Sequence, residues 1–123
     1  RTALVLSVIN NHPDAARVLL QKGADPNFRG DMTYTETEHC DRAALHYAAA
    51  EGLIELIRIL TEAGGDVNVT DGRRRTPLYF SVYYGKIECV RQLVALGANK
   101  DIADDEGTSA YMLAQRYQQT EVI

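Results

Sequence analysis

Apolar positions along this chain come in short helical bursts separated by small or turn-forming residues. In ALHYAAAEGLIELIRIL (44–60) a small-residue stretch reaches Gly52, and a second apolar set follows at Leu56, Ile57 and Leu60. Spacing of i, i+1, i+4 puts those three on one helical face. The arrangement recurs in PLYFSVYYGKIECVRQL (77–93), with Cys89, Val90 and Leu93 after Gly85. It recurs again near the start, with Ala15, Ala16 and Leu19 after Asn11. Gly and Asn tolerate the positive φ of a left-handed cap, so Asn11, Gly52 and Gly85 are expected to stop a first helix. Gly23, Gly64 and Gly97 are expected to stop a second.

These bursts keep a fixed interval. Ala43-Ala44-Leu45, Thr76-Pro77-Leu78 and Ser109-Ala110-Tyr111 begin at i, i+33 and i+66. Thr2-Ala3-Leu4 fits the same slots but comes too early for that interval, because eight residues are inserted between it and Ala43. Pro77 suits a first helical turn, where its missing N–H costs nothing, and Thr76 suits the N-cap before it. Ser7, Ala48, Ser81 and Ala114 form a column of small side chains that lets neighbouring helices approach. The polar stretch between units, such as GDVNVTDGRRR (65–75), is too short for another helix and rich in turn formers, which predicts a hairpin-like turn. A single unit of two short helices cannot bury its apolar face, whereas stacked units can.

GADPN (23–27), ALHYAAAEG (44–52), GGDVN (64–68), TPLYFSVYYG (76–85) and GANKD (97–101) resemble the ankyrin repeat. The resemblance implies an all-α solenoid of antiparallel helix pairs, with first helices lining a concave face and turn tips projecting beyond it. Repeats are expected at about 1–27, 43–75, 76–108 and, in part, 109–123, with an insertion at about 28–42. It also implies that His46 ties turn to helix through local hydrogen bonds, while Tyr79 fills the equivalent slot one unit later. Gln118 stands where the last unit should have its first glycine. Both ends of the sequence look cut from a longer protein, or the last unit is an abbreviated cap.

Composition narrows the function. Among 123 residues, 46% hydrophobic and 24% charged content is that of a folded domain, and the formal charge of −4 argues against general affinity for nucleic acid. No apolar run is long enough to insert in a membrane. The N-terminus lacks the shape of a signal peptide, and Cys40 and Cys89 do not suggest a disulfide framework. An intracellular site, cytoplasmic or nuclear, is therefore expected.

His39-Cys40-Asp41 followed by His46 is the one cluster to weigh for catalysis. It lacks a pocket, oxyanion donors and metal-ligand spacing, so no catalytic, cofactor or metal site is assigned. Arg29-Gly30-Asp31 is a chance triplet, and no phosphate-binding glycine loop is present.

The expected site is a partner-binding one. Arg73, Arg74 and Arg75 lie on a turn tip, and Arg73 and Arg75 are expected to clamp carboxylates of an acidic protein or peptide. Alternatively they neutralise neighbouring tips such as Asp104-Asp105-Glu106. The family resemblance places Tyr47, Phe80 and Tyr83 on groove-facing slots, with Tyr84 beside them, as apolar anchors. Tyr34 would stand at the tip of the acidic insertion. Asn68 and Asn27 occupy the turn slot that asparaginyl hydroxylases modify in some ankyrin proteins, and are candidate hydroxylation sites. These features together indicate a non-catalytic protein–protein interaction module. The alternative is a regulatory or targeting segment of a larger enzyme or channel, packed against its own chain.

Overall fold

The computed structural model describes residues 2–29 and 41–118. Seven helices follow in order: α1 (Ala3–Ile9), α2 (Pro13–Gln21), α3 (Ala44–Glu51), α4 (Ile54–Glu62), α5 (Pro77–Tyr83), α6 (Ile87–Ala95) and α7 (Ala110–Arg116). They pair as α1–α2, α3–α4 and α5–α6. The first helices stack in the row α1, α3, α5, α7, and the second helices stack in the row α2, α4, α6. This is the expected all-α solenoid.

Each first helix begins at the predicted slot. The hydroxyls of Thr2, Thr76 and Ser109 accept from the backbone N–H of Val5, Tyr79 and Met112, which satisfies an otherwise orphaned donor of the first turn. Ala43 has no such acceptor. There His46 Nδ1 instead accepts from the Ala43 N–H at 3.0 Å. First helices stop where expected, with φ of 53° at Asn11, 76° at Gly52 and 70° at Gly85. Gln118 takes the same conformation, at 59°, without glycine's freedom.

The small column is buried at all four positions. Ser7 and Ser81 return their hydroxyls to the carbonyls of Leu4 and Leu78, so neither leaves a donor unsatisfied between helices. Leu56, Ile57, Leu60, Cys89, Val90 and Leu93 are buried as the spacing predicts, and Ala16 with them. Ala15 differs: it is exposed, because α2 ends its row and no described element packs on its outer side.

Polar side chains tie one turn to the next. Asp71 Oδ1 accepts from the backbone of Arg73 and Arg75, and Asp104 Oδ1 does the same for Glu106 and Thr108. The Asp105 N–H donates to the Arg73 carbonyl across the two tips. Asn27 and Asn68 use their side chains to reach the next unit. Asn27 Oδ1 accepts from the Asp66 N–H and its Nδ2 donates to the Gly64 carbonyl, while Asn68 Oδ1 accepts from the Asn99 N–H at 2.7 Å. Among the described residues, no helix is long and apolar enough to cross a membrane.

Candidate partner-binding groove

The groove is organised around Phe80. Its ring lies edge-on to His46 on α3 and to Tyr79, and stacks on Tyr84 with an interplanar angle of 11°. His46 fixes one side of this arrangement. Because its Nδ1 accepts from Ala43, its proton sits on Nε2, which donates to the Arg75 carbonyl at 2.8 Å. Burial pushes this imidazole down to about pH 4 for protonation, against the raising effect of the Arg75 carbonyl. With both nitrogens committed to backbone, His46 is a structural tie, as the resemblance implies, and has no lone pair free for acid–base work.

Two guanidinium groups lie against Phe80: the Arg42 Cζ stands 4.5 Å from the ring centroid and the Arg75 Cζ 4.8 Å. Arg42 also lies 5.8 Å from the centre of Tyr47. Burial, then repulsion from Arg75, lowers the Arg42 pKa. Arg75 donates from Nε to the buried Asp71 carboxylate at 2.8 Å. Even so, Arg42 Nε and Arg75 Nη2 are buried with no hydrogen-bond partner among the described residues.

Beside the ring opens a depression of about 590 Å³, lined by Arg42, Arg73 and Arg75 together with Asp104, Asp105 and Glu106. Tyr79, Tyr83 and Tyr84 complete its wall. Tyr79 is raised to about 12, by burial first and then by the hydrogen bond and negative charge of Asp104, which keeps its phenol protonated as a donor. A second depression, of about 430 Å³, shares Arg42 and Tyr84 and continues over Tyr47, Ala50 and Ile9. The two form one groove along the first-helix row.

The expected site residues fare differently. Tyr83 and Tyr84 are 52% and 49% exposed, and Tyr47 is half-buried on the groove. Arg73 is half-buried, makes no ion pair among the described residues, and shares the depression with the acidic tip. Phe80 requires a correction: at 2% exposure it is the floor of the groove and cannot be an apolar anchor that a partner grips. Arg42 and Arg75 close over it. Arg75 is corrected in part, since its side chain is only 15% exposed and one of its donors already serves Asp71. Tyr34 lies outside the described residues, as do His39 and Cys40. Asp41 lies 3.8 Å from Arg29. Asn27 and Asn68 sit at turns, with their amides engaged by the following unit.

Arg42 is the residue that sequence reasoning missed. Its neighbours place it at the end of the insertion, yet Arg42 and Arg75 stand at i and i+33, equivalent slots of consecutive units. That register was the available signal.

The family description "Ankyrin repeats (3 copies)" matches residues 45–123, and "Ankyrin repeat" matches residues 1–31. The chain is similar to the E3 ubiquitin-protein ligase KEG of Arabidopsis thaliana, 34% identical over 101 residues that make 82% of this chain and 6% of that protein. It is similar to a transient receptor potential cation channel subfamily A member 1 homolog of Caenorhabditis elegans, 38% identical over 115 residues, 93% of this chain and 9% of the channel. The potassium channel KOR1 of Oryza sativa subsp. japonica is 39% identical over 75 residues, 61% of this chain and 8% of the channel. The chain thus spans less than a tenth of the length of these relatives. Its repeat period, its stacked helix pairs and these matches agree: the chain belongs to the ankyrin-repeat family.

Proposed function

We propose that this domain is a protein–protein interaction module that works by binding, without catalysis of its own, and that its concave first-helix face and turn tips receive a protein or peptide. One observation carries the reading: exposed Tyr83 and Tyr84 stand beside Arg73, which has no ion pair among the described residues, in a groove built on stacked helices. Tyr and Arg are the residue types enriched at the energetic centres of interfaces, and a rigid wall loses little ordering entropy when it docks. The chain's formal charge of −4 disfavours nucleic acid as the occupant.

A second reading has its own support, since the chain matches small segments of ubiquitin ligase and channel sequences. In that reading the groove receives another part of a longer polypeptide. Both are tested by placing a photo-crosslinking benzoylphenylalanine at Tyr83 or, as control, at exposed Arg58 on α4. Crosslinks to one defined polypeptide from position 83 that vanish in the Arg73→Ala, Tyr84→Ala double variant are expected. Equal crosslinking from position 58 would remove the groove from consideration. Crosslinks that map to the chain's own longer polypeptide would select the second reading.

A further inference from the structure

We infer that the groove reads a single carboxylate, an aspartate or glutamate side chain of an extended peptide, seated over Phe80 between Arg42 and Arg75. The inference rests on the proposed function and adds the chemistry of the occupant.

Three features of the site converge on it. Arg42 and Arg75 approach one aromatic ring from equivalent slots of consecutive units, and only one buried carboxylate, Asp71, makes an ion pair with either among the described residues. Arg42 is left without an ion pair among the described residues. Two buried N–H groups, Arg42 Nε and Arg75 Nη2, have no acceptor among the described residues. A buried donor without an acceptor is costly, and a carboxylate supplies two acceptor oxygens in one plane, the shape a guanidinium fork matches. The acidic part of the lining sets the size of the charge. Asp104, Asp105 and Glu106 line the same depression, so a dianionic phosphate placed there meets three carboxylates, whereas a single carboxylate held against Arg42 and Arg75 meets the smaller repulsion. Exposed Asp105 and Glu106 then attract a basic residue next to the acidic one. Tyr83 and Tyr84 flank the seat and cover the peptide's apolar atoms.

The test is selection from a random dodecapeptide library displayed on phage, carried out in parallel on the native chain, Arg42→Gln and Arg42→Lys. Thermal melting of each variant followed by circular dichroism verifies the fold. If Arg42→Gln does not fold, Arg42→Lys carries the comparison, since it keeps the charge and loses the Nε donor. The expected result is enrichment of Asp or Glu at one fixed position with the native chain, and loss of that preference with Arg42→Gln. The selected peptide should also bind Arg42→Gln roughly ten- to a hundredfold more weakly. Peptides selected without an acidic preference, or an acidic preference that survives Arg42→Gln, would overturn the inference and leave the interaction reading standing. Inorganic phosphate that displaces the selected peptide where acetate does not would reassign the seat to phosphate and also overturn it. Failure to select any peptide whose binding the Tyr83→Ala, Tyr84→Ala double variant abolishes would overturn both.

Discussion

At the scale of single residues, His46 sets how the domain responds to acid. It is completely buried, its Nδ1 already accepts from Ala43 and its Nε2 already donates to Arg75. A second proton would point an N–H at another N–H in a dry environment, which is why burial holds protonation down to about 4 against 6.5 in an unfolded chain. Between those values the unfolded state binds more protons than the folded state, so stability falls as pH drops through this window. The contribution is fully present above about pH 6.5 and declines by about 3 kcal/mol on reaching pH 4, with about 2 kcal/mol gone by pH 5. Urea midpoints measured between about pH 7 and pH 5 should show this slope in the native chain and not in His46→Gln. Parallel slopes in the two proteins would contradict the account. His46 was legible from the sequence because its slot is defined by the repeat. Phe80 was not, because a helical slot says which way a side chain points and not what lies on top of it. The covering groups come from two different turn tips, Arg42 from the one that leads into α3 and Arg75 from the one that leads into α5.

At the scale of elements, the helices are short because the chain turns left-handed at set places. Gly52 and Gly85 do this without strain, and the sequence alone announced them. The turn tips were less legible. Arg74 adopts φ of 63° where Gly107, one unit later, adopts 83°, and nothing about an arginine between two arginines signals a left-handed residue. Its conformation is imposed by the Asp71 carboxylate, which accepts from the N–H groups on both sides of it, and by the Arg74 N–H donating to the Asp71 carbonyl. A β-carbon in this region costs on the order of 1 kcal/mol. Arg74→Gly should therefore stabilise the domain by about that amount, and Gly85→Ala should destabilise it by a similar amount, both read from urea unfolding. Arg74 is exposed and does not line the groove, so its replacement should leave binding unchanged. A neutral or destabilising Arg74→Gly would mean that the tip is not under the strain its φ indicates.

At the scale of the whole molecule, the main helix contacts among the described residues join each unit to its neighbours, so stability spreads along the row and not through a common centre. The seat around Phe80 sits across one of these joints: Arg42 and Tyr47 come from one unit, while Arg75, Phe80 and Tyr84 come from the tip and first helix that follow. Its integrity should depend on the α3–α5 contact far more than on the α1–α3 contact. The buried serines of the small column separate these two cases, because Ser7 lies on α1 and Ser81 on α5. Leucine at either position forces extra volume between packed helices, at roughly 1–3 kcal/mol. In a body coupled through one central core, both substitutions would loosen every helix alike. In this row, Ser7→Leu should raise hydrogen exchange in α1 and α2 while α4, α5 and α6 keep their protection and the groove keeps its peptide. Ser81→Leu should raise exchange on both sides of α5 and abolish binding. The contrast follows from the arrangement itself, since α1 meets α3 alone within the first-helix row whereas α5 meets both α3 and α7. If Ser7→Leu emptied the groove as thoroughly as Ser81→Leu, the seat for the partner would be held by the stack as a whole and not by the single joint between α3 and α5.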